Sequence, residues 1–179
     1  MATPEKTSLY RLEPDEKVAQ VMVYTPSTFY WGEVVVKSII RVSTWLRTNT
    51  VPNRISLYNA MGLITLPGCK PFSYAEVHIP LSQILAFHLI PPAQDPPDFD
   101  PTEPNRKTHP INAAFNSFIV KGSLRLSASA DLKKFLEVTH ESFTSVYDAE
   151  VTNPAVQSFR GLNVPYLMVR QETTVFTSR

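Results

Sequence analysis

The sequence predicts an all-β, or at least β-dominated, fold: two related small antiparallel barrel or sandwich domains with short helical turns. Three observations carry that expectation. Apolar residues recur along most of the chain with the two-residue period of strands. Proline is abundant, at 16 of 179 residues, and glycine scarce, at 5, so turns rest on Pro, Asn and Ser. Finally, similar residue classes return beyond two glycines, Gly32 and Gly122, as they would in a duplicated unit.

The elements follow in order. Val18–Tyr24 is a β-branched run ended by the turn signal Thr25-Pro26-Ser27, and Phe29–Val36 reads as a second strand. Arg41–Arg47 predicts one short helical turn, capped by Ser43, with Trp45 and Leu46 folding inward. Arg54–Ile64, Tyr74–Ile79 and Ile84–Ile90 complete a first domain over residues 1–90. Seven prolines then fall between Pro91 and Pro110, together with Asp95, Asp98, Asp100 and Glu103. Proline fixes φ and donates no N–H, so the expectation for 91–112 is a stiff, semi-extended acidic linker with neither helix interior nor central strand. The second domain, 113–179, starts with a strand pair or bent strand over Phe115–Leu126. A helix over Ala130–Glu137 follows from apolar residues at 132, 135 and 136, then strands over Phe143–Val151, Leu162–Val169 and Glu172–Thr177.

The halves align on their glycines. Trp45-Leu46-Arg47 faces Phe135-Leu136-Glu137, and Ser56-Leu-Tyr-Asn-Ala60 faces Ser145-Val-Tyr-Asp-Ala149 across a one-residue gap. A unit of about 60 residues buries only about 60% of its unfolded surface, so each copy needs a partner unit or another chain. The order Arg41-Val-Ser-Thr-Trp-Leu46 followed by Ile55-Ser-Leu-Tyr-Asn-Ala60 resembles a family of uncharacterised bacterial proteins, in which an R-[VL]-S-D-[WL]-L motif precedes a strand of the type F-[LI]-x-L-[TH]-[DN]-A. Thr44 departs from the acidic position of that motif, and Ala130–Leu136 lacks its Arg and Ser. The resemblance covers 18–90 well and 115–177 loosely. It implies a small β-domain and brings no activity.

Composition excludes several function classes. Net charge near +1 and 43% hydrophobic residues argue against a disordered polyelectrolyte. No apolar run reaches the length of a membrane helix, and the polar Met1–Lys6 start is unlike a signal peptide, which makes the cytoplasm the expected location. A single cysteine, Cys69, forbids an intrachain disulfide and a multi-cysteine metal site. The phosphate-binding patterns GxxxxGK[ST] and GxGxxG are absent, as is the RxxxR…[DN]xSxxG pattern of cyclic-dinucleotide receptors.

Candidate chemistry is thin. His78, His88, His109 and His140 lack the spacing of metal ligands, and His88 is expected at a surface or edge, facing opposite to Phe87. A Cys69–His78 dyad lacks a feature that would lower the thiol pKa, and Asp148 and Glu150 fit a solvated strand face. The expectation is therefore a non-enzymatic scaffold with no catalytic residue, cofactor or metal. Its partner would be protein, foremost a second copy in a homo-oligomer, met through Phe29, Tyr30 and Trp31 and the C-terminal edge at Val175 and Phe176. The alternative is a module for nucleic acid or a small anion centred on Arg41, Arg47 and Arg54, with the aromatics Tyr30, Trp31, Trp45 and Tyr58 nearby. Near-neutral charge weakens it, and the acidic linker is placed to fold over the basic patch and neutralise it.

Overall fold

Alternating β-branched and aromatic residues favour extended chain wherever one side chain in two can be buried. The computed structural model describes residues 10–48, 51–96, 98–156, 159 and 161–179; Met1–Lys6 and Pro97 lie outside them. Its strands are β1 (Glu16–Tyr24), β2 (Thr28–Lys37), β3 (Arg54–Ile64), β4 (Phe72–Pro80), β5 (Ala86–Leu89), β6 (Arg106–Phe115), β7 (Phe118–Ser127), β8 (Phe143–Thr152), β9 (Leu162–Arg170) and β10 (Val175–Ser178). A 3-10 helix (Val42–Arg47) links β2 to β3, and helix α1 (Leu132–Val138) links β7 to β8.

The fold is all-β, but its strands do not close into two barrels or sandwiches. They form one antiparallel sheet in the order β10-β6-β7-β8-β9-β5-β1-β2-β3-β4. The physical reason is β5, which pairs with β1 on one side and with β9 on the other. The edges that would have sealed each five-stranded group are used to join the groups.

Buried side chains form two clusters, one on each face of that sheet. Along β1, Val21 and Val23 enter one cluster while Met22 and Tyr24 enter the other; along β2, Val34 and Val36 oppose Phe29 and Trp31. The first half thus centres its core on one face, with Val42, Trp45 and Leu46 of the 3-10 helix closing it. The second half centres its core on the reverse face, beneath Leu132 of α1. Strand direction agrees. Ten alternating strands set β1 antiparallel to β6, so strand direction reverses between the first strands of the two halves just as the core changes face.

Each half contains a bulge opposite a glycine. The ladder shifts between Trp31 and Glu33 against β3, and between Lys121 and Ser123 against β8. The extra residues, Asn59 and Asp148, have φ of 48° and 49°, a region Asn and Asp tolerate best among residues with a side chain. Backbone crowds the facing glycine. A Cβ on Gly32 would lie 2.8 Å from the Tyr58 carbonyl oxygen, and one on Gly122 3.0 Å from that of Tyr147. The fourth residue of each Ser-aliphatic-Tyr-Asn/Asp-Ala pentapeptide is the bulge residue.

Three local expectations need correction. Strand β6 starts at Arg106, inside the stretch read as linker, and includes Pro110. Proline is tolerated there because β10 ends opposite Ile111; only the Pro110 carbonyl is used, accepting from Arg179 N–H at 3.3 Å. Ser43 does not cap its helix. Arg41 occupies the N-cap position, and the Ser43 N–H donates instead to Asp95 Oδ2 at 2.8 Å. His88 does face opposite to Phe87 but is 0% exposed, because β5 is an inner strand covered on both faces.

Candidate functional site

The most concentrated polar chemistry lies where the two halves meet. Strand β8 places Ser145 and Tyr147, and β9 places Tyr166, on the face turned away from their own core. The 3-10 helix brings Arg47 to that face, and the proline-rich segment crosses it with Asp95, Asp98 and Phe99. Tyr147 and Tyr166 donate to the two oxygens of Asp98 at 2.9 and 3.0 Å. Arg47 Nη1 donates to Ser145 Oγ at 2.7 Å and stands 3.6 Å from Asp98, while its Nε meets Glu141 at 2.9 Å. Ser145, accepting from Arg47, donates in turn to the Tyr166 hydroxyl.

This network runs from one arginine to two carboxylates through three hydroxyls. Burial and the Asp98 carboxylate raise the pKa of both tyrosines, that of Tyr166 to about 12, so both hydroxyls keep their protons at neutral pH. Phe99 sits edge-on to Tyr147, with rings 5.1 Å apart, and the Arg125 guanidinium lies 3.8 Å above Phe99. A cleft of about 570 Å³ opens beside the cluster, walled by Arg47, Arg106, Arg125, Asp98, Glu103 and Glu141 among others. Its cations are already engaged: Arg106 meets Glu103 at 3.2 Å, and Arg125 donates to the Asp100 carbonyl at 3.2 Å while lying over the Phe99 ring. No buried side-chain polar atom among the described residues lacks a hydrogen-bond partner.

The other residues singled out by the sequence are dispersed. Arg41 donates to the Pro96 carbonyl at 2.7 Å and Arg47 stands 3.6 Å from Asp98, so the acidic segment lies over both. Arg54 is exposed at the start of β3, opposite Pro80, and belongs to neither network. Phe29 is core, 3% exposed, with its ring 5.7 Å from both Trp31 and Phe118 and 5.5 Å from Phe159. Tyr30 lies on the opposite face beside Phe72. Val175 is 66% exposed on β10, and Phe176 packs partly against the second core. Cys69 is exposed in the β3–β4 turn, whereas His78 pairs with Ser56 Oγ at 2.9 Å and lies 3.6 Å from Glu76. Asp148 is the bulge residue of β8, and Glu150 lies 3.5 Å from Lys121. Among the described residues no cluster of three or more His, Cys, Asp or Glu is placed to hold a metal.

Sequence reasoning missed Tyr166 and Arg170. Arg170 clamps the junction: its backbone N–H donates to Leu85 O at 2.7 Å, its Nε to Ile84 O at 2.7 Å, and Nη2 to Leu81 O. Its guanidinium lies 4.5 Å from the Phe143 ring. Nothing local marks these residues, because Asp98 lies 68 positions before Tyr166 and the Ile84 and Leu81 carbonyls lie 86 and 89 positions before Arg170.

Buried between the halves, His88 Nδ1–H donates to Leu89 O at 2.7 Å, which leaves Nε2 to accept from the Tyr24 hydroxyl at 3.0 Å. Burial lowers the His88 pKa to about 4, so the ring is neutral. No family model, curated protein or solved structure matches the chain. No helix among the described residues is long and apolar enough to cross a membrane.

Proposed function

We propose that the protein is a non-enzymatic structural subunit, built from one duplicated β-unit, that works by protein–protein contact through its sheet edges. The observation that supports this best is the pair of strands, β4 and β10, that end the sheet. Neither has a strand on its outer side among the described residues. Both carry exposed apolar side chains, Val175 at 66% and Tyr74 at 57%. A row of unpaired N–H and C=O groups beside apolar side chains is a template for another chain.

The junction cluster supports the same reading from the other direction. Its carboxylates, hydroxyls and guanidinium groups satisfy one another across linker, helix and sheet, which suits a lock more than a binding cleft. The anion-binding alternative needs several free cations on one patch, whereas Arg41 and Arg47 are engaged by the linker and by Glu141 and Arg54 stands apart from them at the start of β3. Light scattering over a dilution series tests the proposal: average mass should rise above 20.2 kDa with concentration. A monomer at every concentration, with no partner strand taken up, overturns it.

A further inference from the structure

Resting on that assembly reading, we infer that the partner is a second copy and that the contact is head to tail, with β10 of one molecule adding antiparallel to β4 of the next. The template is inside the chain. Its middle junction pairs the last strand of the first half, β5, with the fourth strand of the second, β9. The two outermost strands are again a last strand, β10, and a fourth strand, β4. The sheet therefore ends in the same two kinds of edge that it joins at its centre.

Direction and hydrogen-bond phase both permit the contact. Because ten strands alternate, β10 and β4 are antiparallel, and a copy shifted along the sheet presents β10 to β4 without being turned over. Arg179 N–H donates to Pro110 O, which directs the N–H groups of 175 and 177 to β6 and those of Phe176 and Ser178 outward. Leu81 N–H donates to Asn53 O, which likewise turns His78 outward from β3. Phe87 and Met168 hold these places in the internal junction.

The register follows. Val21 and Ile111 face the matched glycines Gly32 and Gly122, and Leu89 and Ser178 face Val21 and Ile111; counting back, Phe176 takes the place of Phe87. Ser56 faces His78 as Ser145 faces Met168, so His78 takes the place of Met168. Phe176 of one molecule thus lies opposite His78 of the next, and Val175 opposite Ile79. Val175 would then be covered as Ala86, 0% exposed, is covered inside the chain.

One difference sets the strength. Pro80 stands where the clamping Arg170 stands in β9, and proline offers neither an N–H nor a guanidinium. The contact between molecules is consequently looser than the internal one and reversible with dilution. It is also heterologous: a dimer keeps one free β4 and one free β10, so growth continues past two molecules unless the ring closes.

Cysteine cross-linking in a Cys69→Ser background tests the pairing. Expected is a disulfide-linked dimer when His78→Cys and Phe176→Cys proteins are mixed under mild oxidation, with none from either alone. Linkage within the His78→Cys or the Phe176→Cys protein alone would mean like-edge pairing. That outcome, or a concentration-dependent mass without mixed linkage, overturns the head-to-tail contact and leaves self-assembly standing. A strictly monomeric mass overturns both. Ser178→Pro removes one outward N–H while sparing the backbone bonds to β6, at the loss of the exposed Ser178 Oγ contact with His109 Nε2 at 3.2 Å, and guards against misfolding of the Phe176 variant. It should weaken self-association about tenfold, and unchanged association in a folded Ser178→Pro protein counts against the pairing.

Discussion

Replacing Asp98 by asparagine tests whether the acidic segment is a structural tie. Asp98 is 13% exposed and accepts two tyrosine hydroxyls while standing 3.6 Å from Arg47. Asparagine keeps one accepting oxygen, but its amide group faces the second hydroxyl and forces it to turn. Arg47 is not stranded, because Glu141 remains 2.9 Å from its Nε. The net loss is close to one hydrogen bond to a charged group, about 2 kcal/mol. For a chain of this length that lowers Tm by about 4–8 °C. Tyr166→Phe removes the same bond from the other side, so the double variant should cost clearly less than the sum of the singles. Thermal unfolding followed by circular dichroism measures all three, and proteolysis reports whether the 98–105 segment loosens. An Asp98→Asn protein that melts within about 1 °C of wild type, with unchanged cleavage, would show that the tie carries no stability.

Two further expectations concern the core. His88 has a folded pKa near 4 against an ordinary 6.5, so as pH falls the unfolded chain takes up the proton first. Its contribution is full above about pH 6.5 and is lost between there and pH 4, about 3 kcal/mol in all. Urea unfolding at the two pH values should show a correspondingly smaller pH-linked loss in His88→Gln, and identical losses in both proteins would refute the assignment. Gly32→Ala should destabilise by about 1–3 kcal/mol in the same assay. The cost should exceed that of Gly122→Ala, because the new methyl at 32 meets a carbonyl oxygen first whereas at 122 it meets a valine methyl that can rotate. Equal costs would mean that the β3 backbone yields as easily as a side chain.

Strand positions were legible because alternation is local: the run Arg54–Ile64 coincides with β3, and the run Phe143–Val151 with β8 less its last residue. The apolar triplet 132, 135 and 136 marked α1, whose cap is Asp131, accepting from Lys134 N–H at 2.8 Å. How strands join was not legible. Strand β5 has four residues, and its second partner β9 lies some 80 positions on, so no local pattern could announce that His88 would be covered. Charge told that the acidic segment would meet the basic patch. It could not tell that Asp98 would take Arg47 and two tyrosines while Asp95 took a backbone N–H, since that choice depends on where β8 and β9 put their outer face.

That outer face connects the cluster to the edges. In both halves, the segment before the first strand lays an aromatic ring on the tyrosine of the pentapeptide: Phe99 on Tyr147 and Tyr10 on Tyr58, with ring centroids 5.1 and 4.7 Å apart. At the centre of the sheet the same face also receives Arg47 from the neighbouring half, and the strand beside it, β9, is paired. At β3 and β4 the corresponding face carries Ser56, Tyr58 and His78, and the strand beside it is the sheet's edge. Polar groups at the centre are consumed by the chain itself, whereas the outward backbone groups of β4 and β10 have no strand beside them among the described residues. A sheet whose two cores lie on opposite faces cannot cover both ends by folding back on one side; among the described residues its ends stay uncovered in antiparallel orientation, and addition of β10 to β4 along the row is the arrangement that repeats what the chain already does within itself at β5 and β9.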